Sequence, residues 1–301
     1  MSDCIRCRSL IDGVELYGLH EACFLEWFGL PSPAEFKDLD PKSTNSQEPT
    51  KKITKKKDTF FHGRYEKYSA RLASQEYILK VEEEKFPELP ATEYLCNRIA
   101  QILGIDVPPF HLLKFESKMT FVTRNFMQDY IGQLNHIYKF LPEGDEHHNC
   151  EVIANCILEQ TGKFADVACF IEICLFDALV GNNDRHGRNL GIIDTGKFKK
   201  LAPMYDNPSF LGTQNTMLGA HFNPSGCIWT LDSREPKVAE YIKEFVRLGH
   251  KKITTVFANK VVSRFHLIVD AVATSHISEK RQKAFLKLLE ERLGEFENAK
   301  Q

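Results

Sequence analysis

An apolar segment that runs directly into a polar loop constrains this chain more than any other feature of the sequence. Residues 164–180 are predicted to form a helix that is apolar on nearly all sides, so this helix should lie at the centre of a core. Residues 181–189, Gly-Asn-Asn-Asp-Arg-His-Gly-Arg-Asn, follow it at once and precede a short predicted strand. A fold places so much polarity beside its core only for a reason, and we interpret residues 181–189 as an active-site loop.

The spacing within this loop is typical of phosphoryl transfer. Asp184 and Asn189 are five residues apart, as in the Asp-x-x-x-x-Asn catalytic loop of kinases. In that loop the aspartate accepts the proton of the substrate hydroxyl and the asparagine binds magnesium, so we predict these roles for Asp184 and Asn189. The alternative is that both residues, with Asn183, only satisfy hydrogen bonds in a loop, as such side chains commonly do.

A predicted hairpin brings a second carboxylate toward the loop. Residues 194–197, Asp-Thr-Gly-Lys, form a turn signal between two short strands. Asn189 should then pair near Ala202, and Asp206 follows a few residues later on the returning chain. The oxygens of Asn189 and Asp206 can therefore bind one magnesium ion, which a simple Asx-rich turn would not predict.

The chain upstream of this site is rich in strands and has groups that can bind phosphates. Gly63, Lys67 and Ser69 lie in a β-like segment that can fold over phosphates, and Lys80 near the end of the next strand can reach them. The alternative is that Lys80 is a surface residue, as a lysine at the end of an apolar strand usually is. Glu93 on the following helix can pair with Lys80, although the helix dipole explains a glutamate at a helix start equally well.

The order of elements predicts an α+β chain with a two-lobe fold like that of protein kinases. Residues 59–126 form the predicted small, β-rich N-lobe, with strands at 68–72, 77–81, 111–115 and 119–124 around one helix that ends at Gly104. Residues 127–301 form the predicted C-lobe, which we expect to be helical from Tyr130 to the loop and again over 237–247, 253–273 and 278–296.

Composition limits the partners and the compartment. Thirty-nine lysines and arginines against 41 aspartates and glutamates give a net charge of −2, so no global field attracts nucleic acid or an anionic membrane. The longest apolar run is too short to cross a bilayer, and we see no secretory signal. Nine cysteines, an odd number, fit a reducing compartment better than a disulfide framework, so we expect a cytoplasmic protein.

The first thirty residues carry a separate cysteine and histidine pattern. Cys4, Cys7, His20 and Cys23 form a Cys-x-x-Cys and a His-x-x-Cys pair, which is typical of a structural zinc site because four ligands leave no open position. The alternative is four reduced side chains that bind no metal. Residues 31–58, rich in proline, serine, threonine and lysine, are predicted to be a basic flexible linker.

Taken together, the motifs resemble those of the HipA-like serine/threonine kinases, the toxins of bacterial toxin–antitoxin modules. Residues 181–189 match the Gly-Asn-x-Asp-x-His-x-x-Asn loop of that family, and residues 201–206, Leu-Ala-Pro-Met-Tyr-Asp, match its metal motif. Residues 63–67 correspond to its Gly-x-Gln-x-Lys loop, with Tyr65 in place of glutamine. The resemblance extends from about residue 58 to the C-terminal helices.

The resemblance implies ATP and magnesium as cofactors and assigns further residues to the site. It implies that Asp184 is the general base, that Asn189 and Asp206 bind magnesium and that Lys80 binds phosphate. It also implies that the nucleotide site includes Gly63 and Lys67 of the phosphate loop, Arg124 and Phe126 at the hinge between lobes, and Tyr205 of the metal motif. His186 would complete this site by shaping the catalytic loop. Arg124 departs from the family, which often has glutamate at that position.

The resemblance also implies partners and a target. Relatives carry an extra N-terminal subdomain, and this chain resembles the compact, HipT-type form in which a separate small antitoxin protein replaces that subdomain. A helix-turn-helix DNA-binding antitoxin would complete the module. The implied target is a serine or threonine of a translation component such as an aminoacyl-tRNA synthetase, and autophosphorylation is expected on Thr59, Thr54 or Ser69.

Two other functions remain open from the residues. A kinase of a small alcohol would use the same ATP machinery with a different acceptor pocket. A catalytically silent pseudokinase would sequester a partner, although such proteins commonly lose one of the groups that Lys80, Asp184, Asn189 and Asp206 supply here.

Overall fold

The structure is a computed structural model that describes residues 2–42, 67–141, 148–213 and 226–298. Gly63, Thr54 and Thr59, for which we predict roles in nucleotide binding or autophosphorylation, lie outside the described residues. The expected mixture of α and β structure is confirmed, with sheet concentrated in the first half and helix in the second. None of the helices in the described ranges is long and apolar enough to span a membrane.

A small hairpin and one helix form the amino-terminal unit, residues 2–28. Strands β1 (Glu15–Leu16) and β2 (Leu19–His20) are joined by Tyr17 and Gly18, both with positive φ, which is the geometry of a tight two-residue turn. Helix α1 (Glu21–Phe28) follows directly and buries Phe24 completely.

An antiparallel five-stranded sheet forms the first half of the molecule, in the order β3-β4-β5-β7-β6. The predicted strands in this region are confirmed by the hairpins of β4 with β5 and of β6 with β7. The five strands are β3 (Phe36–Lys42), β4 (Lys67–Leu72), β5 (Gln75–Val81), β6 (Phe110–Phe115) and β7 (Lys118–Arg124). Lys67 on β4 lies directly opposite Lys80 on β5, so the register brings two ammonium groups to one place.

Strand β3 corrects part of the predicted linker. Residues 36–42 pair with β4 at the edge of the sheet, with a bulge between Lys37 and Asp40. The prediction of a flexible linker over residues 31–58 was therefore wrong for this segment. The polar composition did not predict this strand because an edge strand needs backbone partners more than a buried apolar face. Among residues 36–40, whose burial the structure describes, only Phe36 is buried.

Helix α2 (Leu89–Leu103) lies across this sheet and confirms the predicted amphipathic helix. Leu95, Ile99 and Leu103 are completely buried, and the helix ends at Gly104, whose φ of 75° suits a residue without a side chain. We call this helix together with β3 to β7 the sheet lobe.

The remaining helices form the helical lobe, with α4 at its centre as predicted. Helix α4 packs against four neighbouring helices, and Leu175, Phe176 and Leu179 are completely buried. The helices of this lobe are α3 (Cys150–Thr161), α4 (Phe164–Val180), α5 (Phe210–Thr213), α6 (Val238–Arg247), α7 (Lys251–Ala273) and α8 (Glu279–Asn298).

A three-stranded sheet in this lobe carries the predicted hairpin and one strand that we did not predict. Strands β9 (Gly191–Asp194) and β10 (Lys199–Leu201) form the hairpin. Strand β8 (Gln133–His136) pairs with β9, so the prediction that the chain turns helical after Tyr130 was wrong here. Strand β8 has four residues and one buried apolar side chain, Leu134, so it is too short to show the alternating pattern of a strand. Its pairing with the edge of β9 determines its conformation.

Candidate active site

The loop after α4 holds Asp184 through the side chains around it. Helix α4 ends at Gly181 with a φ of 69°, and the buried Asn182 then donates from Nδ2 to Asp177 Oδ1 at 2.8 Å. The Oδ1 of Asn182 accepts the backbone N–H of Asp184 at 3.0 Å. The backbone of Asp184 is thus fixed to the core, while its side chain is only half-buried.

Asn189 closes the same loop. Its Nδ2 donates to the carbonyl of Asp184 at 2.8 Å, and its own backbone N–H donates to the carbonyl of His186 at 2.8 Å. His186 Nδ1 accepts the backbone N–H of Arg188 at 3.2 Å, a contact that shapes the turn between the two predicted catalytic residues. Because this contact occupies the amide nitrogen, the amide oxygen is the atom of Asn189 that could bind a metal.

Arg185 joins the catalytic loop to the segment that carries Asp206, and sequence reasoning missed it. Its guanidinium is 1% exposed and forms a bidentate pair with Asp177, with Nε at 2.8 Å and Nη2 at 3.0 Å from the carboxylate oxygens. Nη1 donates to the carbonyls of Asn189 at 3.2 Å and Tyr205 at 2.6 Å, and Nη2 to Asn207 Oδ1 at 2.7 Å. The available signal was Asp177, a carboxylate within the apolar residues 173–180 of α4, which needs a buried partner.

Asp206 lies where the two lobes meet and binds two lysines of the sheet lobe. Its Oδ2 is 3.0 Å from Lys67 Nζ and its Oδ1 is 2.5 Å from Lys80 Nζ. Burial favours the neutral acid, but the two ammonium groups outweigh it and hold the pKa of Asp206 well below its usual value. Its backbone has a φ of 57°, a conformation that few residues other than glycine adopt without support.

Lys80 also pairs with Glu93 of α2, which confirms the pairing predicted above. The distance from Lys80 Nζ to Glu93 Oε1 is 2.5 Å, and both side chains are buried. Burial disfavours the ammonium form, yet the carboxylates of Asp206 and Glu93 raise the pKa of Lys80 above its usual value. The same Glu93 oxygen accepts the backbone N–H of Asn207 at 3.2 Å, so α2 is tied to the Asp206 segment twice.

A cleft opens beside these charges, between the sheet and the Asp206 segment. Phe126 and Tyr205 pack with ring centroids 5.8 Å apart, and the Tyr205 hydroxyl donates to the carbonyl of Arg188 at 3.2 Å. Burial raises the pKa of Tyr205 above its usual value, which keeps the phenol neutral. The cleft is lined by Lys67, Ile78, Lys80, Glu93, Asn97, Pro108, Phe121, Thr123, Arg124, Phe126, Tyr205 and Asp206.

The geometry thus brings most of the predicted site residues to one region. Lys67, Lys80 and Asp206 are in direct contact, and the backbones of Asn189 and Tyr205 share one nitrogen of Arg185. Arg124 lines the cleft and donates from Nε to Gln75 at 2.8 Å. Ser69 is half-buried on β4, two residues from Lys67. Cys4, Cys7, His20 and Cys23 lie together in the amino-terminal unit and not in the cleft.

Solved structures with the same arrangement of lobes are kinases and kinase-like proteins. The Helicobacter pylori proinflammatory kinase CtkA matches with a TM-score of 0.63 and 18% identity, over 77% of this chain and 92% of that chain. HipA of Shewanella oneidensis, solved in a complex with HipB and its operator DNA, matches with a TM-score of 0.56 and 15% identity, over 96% of this chain and 73% of that chain. The chain therefore has a kinase-like fold.

Sequence comparison gives the family. The model of the HipA-like C-terminal domain matches residues 51–273, and this chain belongs to that family. A protein of Haemophilus influenzae named "Putative kinase" is 31% identical over 150 residues, which are 43% of this chain and 44% of that protein. "Putative kinase Y4mE" of Sinorhizobium fredii is 24% identical over 147 residues, which are 43% of this chain and 34% of that protein. The chain thus spans less than half the length of these curated relatives.

Proposed function

We propose that this protein is an ATP-dependent serine/threonine protein kinase and the toxin of a bacterial toxin–antitoxin module. The observation that carries the proposal is the junction of Lys80 with Glu93 and Asp206, beside a loop that presents Asp184. A lysine paired to a helix glutamate and close to a metal-binding aspartate is what phosphoryl transfer from ATP requires in protein kinases. Membership of the HipA-like family supports the same reaction class.

The cleft suits a nucleotide. Its apolar wall includes Ile78, Phe121 and Phe126, which offer flat or branched surfaces to a purine ring. We assign the phosphates to Lys67, Lys80 and Gly63, and the nucleoside end to Arg124, Phe126 and Tyr205, with His186 holding the shape of the loop. The two lysines lie at the carboxylate where the phosphates must meet the metal, so they can neutralise phosphate charge at that point.

The oxygens of Asn189 and Asp206 fit magnesium. The donor set is one amide and one carboxylate, the hard ligands that this ion prefers, and Arg185 ties the two chain segments together. When bound, magnesium would neutralise charge on the phosphate oxygens during transfer. Asp184, held by Asn182 and Asn189 through its backbone, would accept the proton of the attacking hydroxyl.

The target and partners follow from the family and from charge. We propose a translation component such as an aminoacyl-tRNA synthetase as the substrate, and autophosphorylation on Thr59, Thr54 or Ser69. The HipA structure with HipB and operator DNA supports an antitoxin as one partner, which we propose to be a helix-turn-helix protein. On the family resemblance alone, we propose a small antitoxin protein as a second partner. A net charge of −2 argues against direct nucleic-acid binding by this chain, and nine free cysteines fit the reducing cytoplasm.

The decisive experiment compares Asp184→Asn with Asp232→Asn. Asp232 is an exposed aspartate that pairs with Lys243 and does not line the cleft, so it is the matched control. With labelled ATP and magnesium, we expect phosphate transfer to protein serine or threonine, normal transfer in the control, and loss of about 100- to 10,000-fold in Asp184→Asn.

Two outcomes would contradict the proposal. Transfer to a panel of small alcohols without any transfer to protein would identify a small-molecule kinase. Growth arrest on expression that persists in Asp184→Ala would identify a protein that sequesters its partner without catalysis.

A further inference from the structure

The four ligand atoms of the amino-terminal unit converge at distances that suit a zinc tetrahedron. The sulfurs of Cys4, Cys7 and Cys23 and Nδ1 of His20 all lie within 4.8 Å of one another. Cys7 Sγ is 3.4 Å and Cys23 Sγ is 4.0 Å from His20 Nδ1. Zinc bonds of about 2.3 Å to sulfur and about 2.0 Å to nitrogen place neighbouring ligands of a tetrahedron about 3.5 to 3.8 Å apart.

The hydrogen bonds around the cluster orient the ligands. His20 Nε2 lies 3.0 Å from the carbonyl of Leu10, an acceptor that requires the proton on Nε2 and leaves the Nδ1 lone pair toward the sulfurs.

The turn that carries the first two cysteines is built for ligation. Arg8 donates its backbone N–H to the Cys4 carbonyl at 2.8 Å, and Cys4 donates to Ser9 at 2.9 Å. Arg8 has a φ of 64°, so the backbone turns sharply directly after Cys7. Strands of two residues give this unit little regular structure of its own, which is the usual situation of structural zinc sites, while its apolar side chains such as Leu19 and Phe24 pack into the main core.

One side of the amino-terminal unit extends the sheet lobe. The carbonyl of Tyr17 accepts the backbone N–H of Lys114 on β6 at 2.8 Å, and the Tyr17 ring stacks on Phe115 at 5.9 Å. Phe28 of α1 lies 4.2 Å from the ring of His111 and 5.6 Å from that of Tyr77, measured between centroids.

The other side reaches the helical lobe through the residue next to a ligand. Arg8, which follows Cys7, donates from Nη2 to the backbone carbonyls of Thr274 and Ser275, where α7 ends. A guanidinium is well placed there, because the last carbonyls of a helix lack intrahelical partners and carry partial negative charge. The ring of His276 in the same segment contacts the backbone of Ile5.

We infer that Cys4, Cys7, His20 and Cys23 bind one zinc ion, and that the unit folded by this ion clamps the sheet lobe to the α7–α8 junction of the helical lobe. The four ligands saturate the ion, so the role is structural. Zinc fixes the backbone turn at Cys7, and this turn positions Arg8 at the end of α7. This inference does not depend on the proposed kinase activity, since neither the ligands nor the contacts belong to the cleft.

The first experiment measures zinc in the purified full chain under reducing conditions. Cys7→Ser removes an exposed ligand without opening a buried cavity, and Cys169→Ser, an exposed cysteine outside the unit, is the matched control. We expect about one zinc per chain in the parent and in the control, and zinc binding weakened at least about tenfold in Cys7→Ser. Cobalt replacing zinc should show the visible bands of a tetrahedral thiolate site.

Failure to bind zinc or cobalt after reconstitution would overturn the metal site, as would equal zinc content in Cys7→Ser and Cys169→Ser. A disulfide within the unit in freshly purified protein would also overturn it.

The second experiment tests the clamp by hydrogen exchange. Removing zinc with a chelator should speed exchange in residues 2–28, in β6 and in residues 274–278, and adding zinc should restore protection. Arg8→Ala should keep its zinc and lose protection at residues 274–278 only. The clamp would be refuted if zinc removal affected residues 2–28 alone, or if Arg8→Ala left residues 274–278 unchanged.

Discussion

Two buried charge clusters hold the catalytic loop and the Asp206 segment, and they differ in their surroundings. In the first, Asp177 and Arg185 are both almost completely buried, and the guanidinium donates to protein acceptors on three chain segments. In the second, Lys67, Lys80 and Asp206 line the cleft between the lobes. We call them the core cluster and the cleft cluster.

This difference predicts that the core cluster supports the fold and that the cleft cluster takes part in the chemistry. The core cluster is satisfied within the protein, so its groups can hold the catalytic loop and the Asp206 segment in register but cannot exchange partners without unfolding. The cleft cluster joins the two lobes by ion pairs that a phosphate or a cation could replace, because one side of it faces the cleft. We therefore expect variants of the first to lose stability and variants of the second to lose activity.

The largest effect on stability should come from the core cluster. Arg185→Met removes the partner of Asp177 and leaves a carboxylate buried, so we expect the free energy of unfolding to fall by about 3 to 5 kcal/mol. Lys200→Met is the control, because the Lys200 ammonium lies over the Tyr130 ring at 4.9 Å, and its loss should cost about 1 kcal/mol or less. Urea unfolding measures both, and equal losses would remove the distinction between the clusters.

The cleft cluster should give the opposite result. Asp206→Asn keeps the shape of the side chain and an amide oxygen that can accept from Lys67, and it leaves Lys80 its pair with Glu93, so we expect a smaller loss of stability than in Arg185→Met. Phosphate transfer should fall by about 100- to 1000-fold, because the carboxylate that would bind magnesium is lost. Asp194→Asn, at the partly exposed end of β9, is the control for an aspartate outside the cleft. Full transfer in Asp206→Asn would place the chemistry elsewhere.

The pH dependence of unfolding sharpens the same comparison. Lys67 and Lys80 hold the pKa of Asp206 below that of an aspartate in the unfolded chain, about 3.9. The unfolded state thus binds the proton first, so the stability from this carboxylate is complete above about pH 5 and falls as the pH drops below about 4. The loss from one group cannot exceed about 1.4 kcal/mol per pH unit.

Asp206→Asn lacks this titration. Its free energy of unfolding should therefore fall less steeply than that of the parent chain between about pH 4 and pH 3. Parallel curves for the two proteins in that interval would show that the two lysines do not hold the carboxylate ionised.

The smallest effect should come from an ion pair that belongs to neither cluster. Lys260 on α7 pairs with Glu172 on α4 at 2.7 Å, and both side chains are partly exposed. Water screens this pair, so Lys260→Ala should lower the free energy of unfolding by about 1 kcal/mol or less. A loss as large as that of Arg185→Met would show that charge pairs in this fold act alike whatever their burial.

Much of the fold follows from local patterns. The hairpin of β4 and β5, helix α2 and the central helix α4 were predicted because alternation, helical periodicity and a glycine stop are written in consecutive residues. Strand β3 was missed because it is mostly polar, and β8 because it has only four residues; each pairs at a sheet edge, where the partner strand decides the conformation.

The sequence by itself determined which groups this protein can bring to a site: the Asp184 and Asn189 spacing, the nearby Asp206, the strand lysines and the cysteine pairs. Only the tertiary structure decided that Lys80 meets Asp206 across 126 positions of the chain, and that Arg185 ties Asn189 to Tyr205. The physical reason is that a buried charge is stable only beside its partner, and the packing of the lobes, not the spacing of residues, places that partner.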